Sequence, residues 1–135
     1  LATVGNLMHI SGNVALQRIS GFDQLGIVMS SLSIDQNGAL EDISGFNWLV
    51  SVGFDLSIIE NAGLQDISGF NALQNVGNRI WINRNVGLQD ISGFQLEVLF
   101  SLGPPISLSI FIGYNSALQG ISGFGHFTVY SLHVV

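Results

Sequence analysis

The hydrophobic positions of this chain recur at a fixed spacing that is much longer than a helical turn. The tetrapeptide Ile-Ser-Gly-Phe begins at Ile19, Ile43, Ile67, Ile91 and Ile121, so three intervals are 24 residues and the last is 30. A period of about 20–29 residues is the signature of a solenoid, in which each repeat stacks on the next. The sequence therefore predicts a single repeat domain over 1–135, with about five and a half repeats, both ends cut within a repeat and no terminal caps.

Two apolar columns predict where the strands lie. Aligning the repeats gives Met8/Leu32/Leu56/Ile80/Ile110 and, two residues later, Ile10/Ile34/Ile58/Ile82/Ile112. Apolar residues two apart are typical of a strand with one buried face. We therefore expect a solenoid with one parallel strand per repeat, centred near residues 9, 33, 57, 81 and 111, and few or no long helices.

Two further columns predict structural ladders along the solenoid. Each strand is followed by an asparagine, which can donate and accept hydrogen bonds where the chain turns; these are Asn13, Asn37, Asn61, Asn85 and Asn115. Each tetrapeptide ends in a phenylalanine that we expect to stack on its neighbours in the core; these are Phe22, Phe46, Phe70, Phe94 and Phe124.

The repeat also resembles a known family. The string Leu-x-x-Val-Gly-x-x-Leu-x-Ile-x-x-Asn-x-x-Leu occurs at Leu49–Leu64 (LVSVGFDLSIIENAGL) and at Leu73–Leu88 (LQNVGNRIWINRNVGL). It resembles the receptor L-domain branch of the leucine-rich-repeat superfamily, and with Ile-Ser-Gly-Phe it is most similar to the L-domain-like repeats of fungal GPI-anchored cell-wall proteins and related microbial surface proteins. The resemblance implies a right-handed solenoid with a parallel sheet in an extracellular or cell-surface protein. Fold alone does not define a function.

The longer fourth interval places an insertion near 99–108, which includes Pro104 and Pro105. Insertions in solenoids form surface loops, and this one is either a tolerated loop or a functional one. The run 98–114 is apolar enough to suggest a membrane span. Gly103, Pro104 and Pro105 interrupt it and the repeat continues through it, so we predict no transmembrane segment.

Composition narrows the classes of partner. Only 9% of the residues are charged, where an average soluble domain has about 25%. Three Lys+Arg against nine Asp+Glu give a net charge of -6, which excludes binding to a nucleic-acid backbone. The absence of cysteine excludes disulfides, thiolate nucleophiles and cysteine-based zinc sites.

Catalytic and metal chemistry have few candidates, and we expect no enzyme, no cofactor and no metal. His9, His126 and His133 are the available bases, and none has the spacing of a known catalytic motif. Asp42, Asp66 and Asp90 share one column between Arg18 and Gly120. These carboxylates could cap backbone N–H groups of their own turns, diverge into solvent or bind a cation such as Ca²⁺.

The outward face of the strands is the expected binding surface. Its rows are Leu7/His9/Ser11, Ser31/Ser33/Asp35, Asp55/Ser57/Ile59, Arg79/Trp81/Asn83 and Ser109/Phe111/Gly113. The aromatic residues are concentrated toward the C-terminal end, where the candidate binding residues are Trp81, Phe111, Tyr114, Arg79 and Arg84. These rings either form a patch for a protein or a sugar, or pack beneath the Pro104-Pro105 loop or against further repeats.

Two functions of different classes follow from this pattern. The first is a non-catalytic extracellular or cell-wall module that binds protein or glycan. The second is a structural subunit that assembles with copies of itself into an extracellular filament, because uncapped ends and scarce charge favour close association. Ice binding is a minor third hypothesis, since the regular serine column at Ser20, Ser44, Ser68, Ser92 and Ser122 is not matched by a threonine array.

Overall fold

A computed structural model describes residues 1–94, 108–122, 124 and 132–134. These residues form a parallel β-solenoid without helices, which confirms the predicted fold class. The strands are β1 (Ala2–Val4), β2 (Met8–Ser11), β3 (Arg18–Ile19), β4 (Leu25–Val28), β5 (Leu32–Asp35), β6 (Asp42–Ile43), β7 (Ser51–Val52), β8 (Asp55–Ile59), β9 (Asp66–Ile67), β10 (Asn75–Val76), β11 (Arg79–Asn83), β12 (Asp90–Ile91), β13 (Ser109–Gly113), β14 (Gly120–Ile121) and β15 (Leu132–Val134).

Each turn of the solenoid contributes to three parallel sheets. Sheet A has the order β1-β4-β7-β10, sheet B the order β15-β13-β11-β8-β5-β2, and sheet C the order β14-β12-β9-β6-β3. The predicted strand of each repeat is the strand of sheet B. Sheets A and C add two shorter strands per turn that the apolar pattern did not reveal, because most of them are only two residues long.

The register of sheet B places equivalent residues of successive repeats side by side. Leu56 pairs with Leu32 on one side and with Ile80 on the other, and the next inward residue, Ile58, pairs in the same way with Ile34 and Ile82. Every one of these six side chains has no exposed surface. The two apolar columns therefore face the core, as the alternation predicted.

The phenylalanines form a continuous stack on the opposite side of the core. Neighbouring ring centroids lie 4.9 to 5.3 Å apart from Phe22 to Phe124, with interplanar angles of 4° to 5°. The glycines before Phe46, Phe70 and Phe94 allow the turns to approach closely. At Gly69, for example, an added Cβ would lie only 2.6 Å from the backbone oxygen of Ile43 in the preceding turn.

The asparagines form a hydrogen-bonded ladder along the turn that follows sheet B. The Asn61 side chain donates to the carbonyl oxygen of Ile34 at 3.0 Å and to Oδ1 of Asn85 at 3.2 Å, while its own Oδ1 accepts the backbone N–H of Asn37 at 3.1 Å. Asn37, Asn61 and Asn85 have no exposed surface. Each buried amide thus supplies partners to backbone groups of neighbouring turns, as every buried polar group requires.

A left-handed residue immediately precedes each asparagine of this ladder. The φ angles are +56° at Gln36, +57° at Glu60, and +55° at both Arg84 and Tyr114, with Gly12 at +66° in the first turn. Non-glycine residues adopt this conformation at a cost of about 1–2 kcal/mol. The backbone bends sharply there, which directs the following asparagine into the core and the side chain before it toward solvent.

The predicted insertion near 99–108 lies outside the described residues except for its last residue, Leu108. Within the part of the chain that the structure describes, no helix is long and apolar enough to cross a membrane.

Candidate binding face

The outer face of sheet B carries the side chains that the sequence assigned to a binding surface. Its central row runs along the solenoid axis as His9, Ser33, Ser57, Trp81 and Phe111. The first turns present small polar groups in this row, and the later turns present aromatic rings. The face is therefore uneven in chemistry although its backbone is regular.

Trp81 and Phe111 form the centre of an aromatic cluster on this face. Their ring centroids are 6.0 Å apart and the rings meet edge to face at 80°, a favourable arrangement for aromatic pairs. The guanidinium carbon of Arg79 lies 5.5 Å from the Trp81 ring centroid. The structure thus brings three of the five predicted binding residues together, and Trp81 remains 37% exposed.

Asp55 holds Arg79 in place. The carboxylate accepts hydrogen bonds from Nη2 of Arg79 at 2.9 Å and from Nδ2 of Asn78 at 2.8 Å. Burial opposes ionisation of Asp55, but these hydrogen bonds and the charge of Arg79 outweigh it, so the pKa of Asp55 lies below its ordinary value of 3.8. The pair presents a fixed, nearly neutral polar edge beside Trp81.

Arg84 and Tyr114 lie at the adjacent corner, within the left-handed column that borders sheet B. The guanidinium carbon of Arg84 is 5.9 Å from the Tyr114 ring centroid, and its Nη1 lies 3.2 Å from Oε1 of Glu60. Glu60 in turn accepts a hydrogen bond from Gln36 at 3.2 Å. The contacts among the described residues therefore divide the five predicted binding residues into two groups. Arg79, Trp81 and Phe111 form one cluster on sheet B, and Arg84 and Tyr114 form a separate pair at the adjacent corner.

Asn83 and Gly113 differ from the prediction, which placed both on the exposed face. Both are buried, and Asn83 retains 8% of its surface. The Phe111 ring lies over the neighbouring Gly113, where an added Cβ would be 2.7 Å from Cε1 of the ring. Gly113 is the register partner of Asn83, so the ring lies on the strand next to Asn83 at this part of the face.

The covered amide of Asn83 has an unusual feature. Its Oδ1 is buried and has no hydrogen-bond partner within the described part of the chain. A buried polar atom without a partner costs about 1–3 kcal/mol. The ladder asparagines were predictable from their column, but Asn83 has no asparagine at the equivalent position of the neighbouring turns, so no repeated pattern indicated its environment.

A second polar cluster, which the sequence analysis missed, surrounds Asp35 at the N-terminal end of the same face. Its carboxylate contacts Nε2 of His9 at 2.6 Å and accepts hydrogen bonds from Ser11 at 2.7 Å and Ser33 at 2.8 Å. Burial opposes ionisation, yet the three hydrogen bonds outweigh it and lower the pKa of Asp35. The exposed His9 was expected in solvent; the spacing of His9, Ser11 and Asp35 was the available signal for this contact.

This cluster does not have the geometry of a nucleophilic relay. Both serine hydroxyls donate to Asp35, whereas an activated serine would donate to the histidine and the histidine to the acid. Asp35 therefore accepts hydrogen bonds from both serine hydroxyls, and neither hydroxyl donates to His9. The His133 side chain and residue His126 lie outside the described residues, so their expected lack of a catalytic role stays a prediction.

Serine hydroxyls supply most of the contacts to the aspartate column of sheet C, which the expected alternatives of backbone capping, solvation or a cation did not include. Ser44 donates to Asp42 at 2.8 Å and Ser122 donates to Asp90 at 3.1 Å. One backbone group, the N–H of Ile91, also donates to Asp90. Arg18 lies 3.3 Å from the carboxylate of Asp42. No group of three acidic or histidine side chains suited to a metal occurs among the described residues.

Comparison with known proteins places the chain in no established group. No protein-family model, no curated protein and no solved structure matches it. The geometry of the solenoid and of its faces is therefore the basis for any functional assignment.

Proposed function

We propose that this protein is a non-catalytic module of the extracellular space or cell surface that binds a protein or a glycan through the outer face of sheet B. The observation that carries the proposal is the cluster of Arg79, Trp81 and Phe111, which interrupts a central row that is otherwise polar, with His9, Ser33 and Ser57. Tryptophan, tyrosine and arginine are the residues that most often dominate binding energy at interfaces. The resemblance to receptor L-domain repeats supports the extracellular assignment.

Two features support a rigid binding surface. The backbone beneath the cluster is fixed on both sides by pairing of β11 with β8 and β13. The Arg79 side chain is held by Asp55, which lowers the conformational entropy that binding would otherwise remove. Such a surface can bind a ligand with little rearrangement of its backbone.

The test compares two tryptophan variants against one panel of ligands. Purified polysaccharides and extracellular-matrix proteins are immobilised, and binding is measured for the wild-type chain, Trp81→Ala and Trp48→Ala. Trp48 is 60% exposed and lies outside sheet B, so its substitution controls for loss of an exposed indole. We expect Trp81→Ala to lose binding and Trp48→Ala to retain it; equal binding by all three proteins would refute the proposal.

A second function that we propose, self-assembly into an extracellular filament, is supported by exposed apolar side chains on a chain with few charges. Val14, Met29 and Trp48 are each at least 60% exposed, and only 9% of the residues are charged. Exposed apolar surface promotes association with another chain, and the scarcity of charge leaves little repulsion to oppose it.

Two valines of one column test this alternative. Val14 is 83% exposed, whereas Val86 occupies the equivalent position of a later repeat and is 50% exposed. If the chain polymerises through the surface around Val14, Val14→Glu should prevent polymers in sedimentation and negative-stain imaging, and Val86→Glu should not. A wild-type chain that stays monomeric up to about millimolar concentration, or polymers that tolerate Val14→Glu, would exclude assembly through this surface.

A further inference from the structure

We infer that Trp81, Phe111 and Asn83 form a carbohydrate site for a neutral, hydroxyl-rich glycan. The inference rests on the proposed function, since it names the ligand class for the same face. The three residues lie on the two neighbouring strands β11 and β13, and Arg79 borders them.

The amide of Asn83 defines what the ligand must offer. Its Oδ1 is an acceptor without a partner in the described part of the chain, and the side chain is more than nine-tenths buried. A sugar hydroxyl both donates and accepts hydrogen bonds, so it satisfies this amide in either orientation. A proline-rich peptide also suits aromatic surfaces, but proline has no N–H to donate.

The Phe111 ring occupies the place that the ligand would take. Because Gly113 has no side chain, the ring lies over it, on the strand beside Asn83. The inference requires the ring to rotate about its side-chain bonds and so open the space above Gly113. A bound sugar ring can then lie against Trp81, with its hydroxyls toward Asn83 and its apolar face on the indole.

The surroundings of Trp81 suit hydroxyl groups and carry little free charge. Arg79, Asp55 and Asn78 form one fixed polar edge whose donors and acceptors can bond neighbouring hydroxyls. The Arg79 charge is paired with Asp55 at 2.9 Å, and the chain as a whole has a net charge of -6. An anionic glycan would therefore meet net repulsion, whereas a neutral one would not.

The direction of the face favours a chain of sugars rather than a single one. Trp81 is followed along the axis by Ser57 and Ser33, which occupy the same central row one and two turns away. These hydroxyl side chains continue the surface without a steric block. An oligosaccharide parallel to the solenoid axis could contact the aromatic pair at one end and the serine row at the other.

The test uses neutral hexasaccharides of glucose, mannose and N-acetylglucosamine, with a heparin fragment and a proline-rich peptide as competitors. Trp48 and Trp81 are the two tryptophans of the chain, so in a Trp48→Phe background the fluorescence of Trp81 reports stacking directly. Binding is measured by this fluorescence and by isothermal titration calorimetry. We expect at least one neutral hexasaccharide to bind and the heparin fragment to bind more weakly.

Three variants separate the role of each residue. Trp81→Ala should weaken binding by about 30-fold, the effect of losing a central aromatic contact. Asn83→Val should weaken it by about tenfold yet raise the melting temperature, because it removes a buried acceptor that has no partner. Gly113→Ala should strengthen binding, because its methyl group displaces the Phe111 ring from the amide.

The outcomes distinguish this inference from the proposed function. If the peptide alone binds and Trp81→Ala abolishes its binding, the carbohydrate site is refuted while the binding face stands. If the hexasaccharides do not bind, or bind equally to Trp81→Ala, the carbohydrate site is wrong. If a hexasaccharide binds but Asn83→Val lowers the melting temperature and leaves affinity unchanged, Asn83 is a structural residue and its assigned role is overturned.

Discussion

Replacing Asn61 by leucine should destabilise the solenoid although leucine is the more hydrophobic residue. Asn61 is fully buried and serves two backbone groups of neighbouring turns, the N–H of Asn37 and the carbonyl of Ile34. Leucine can bond neither. Each backbone group left without a partner costs about 1–3 kcal/mol, and burial of the leucine side chain offsets about 1.5–3 kcal/mol. We expect a net loss of about 1–3 kcal/mol, because the branched side chain also has to fit a site shaped for a planar amide.

The assay is urea unfolding followed by circular dichroism, with Asn13→Leu as the matched control. Asn13 occupies the same ladder column but lies in the first turn, where it is exposed and donates to Ser11 and Asn37 without serving a buried backbone group. We expect its substitution to change the free energy of unfolding by less than about 0.5 kcal/mol. Equal effects of the two substitutions, or an Asn61 variant as stable as the wild type, would refute the argument that buried ladder bonds stabilise the turns.

Three further predictions follow from the same structure. Phe70→Ala should lower the free energy of unfolding in urea by about 3–5 kcal/mol, because the Phe70 ring is fully buried between two other rings. Phe22→Ala should lower it less, because the Phe22 ring is half-buried, and equal losses would contradict this. Because the pKa of Asp55 is lowered by folding, its contribution to stability is present above the ordinary pKa of 3.8 and is lost as the pH falls through the lower folded value. Asp55→Asn should therefore flatten the acid side of the stability curve, and an unchanged slope would count against the Arg79 pairing. The φ angle of Gln36 is +56°, so Gln36→Gly should change stability by less than about 1 kcal/mol and Gln36→Val should lower it by about 1–2 kcal/mol. If thermal melts rank the two variants in the opposite order, residue 36 does not have a left-handed conformation.

The inward columns could be predicted from the sequence because stacking makes the requirement the same in every turn. The phenylalanine at Phe70 meets Phe46 and Phe94, so any residue of another size would leave a gap or a clash in the stack. Each buried ladder asparagine is constrained in the same way, because its amide has to hydrogen-bond to the equivalent groups of the neighbouring turns. Because the same packing or hydrogen-bonding requirement applies in every turn, the same residue type recurs at the equivalent position of each repeat. This recurrence can be read from the sequence alone.

The left-handed column had no such signal. Its members are Gly12, Gln36, Glu60, Arg84 and Tyr114, which share a backbone conformation but no chemistry. Glycine is the residue normally associated with this conformation, and it occupies only the first of these positions. The conformation is imposed here by the buried asparagine that follows, so tertiary hydrogen bonding overrides the local preference of the residue.

The face that we propose to bind ligand is also where the repeats stop resembling one another. Along the central row of sheet B the side chain changes from His9 through serine to Trp81 and Phe111, while the inward neighbours stay methionine, leucine or isoleucine. Packing does not require a particular residue at these outward positions. Asn83 lowers the stability of the fold, because its Oδ1 is buried without a hydrogen-bond partner in the described part of the chain. A residue that lowers stability without a structural role is expected at a functional site. The candidate site therefore depends on a single side-chain orientation, that of Phe111 over Gly113, which no periodicity in the sequence encodes.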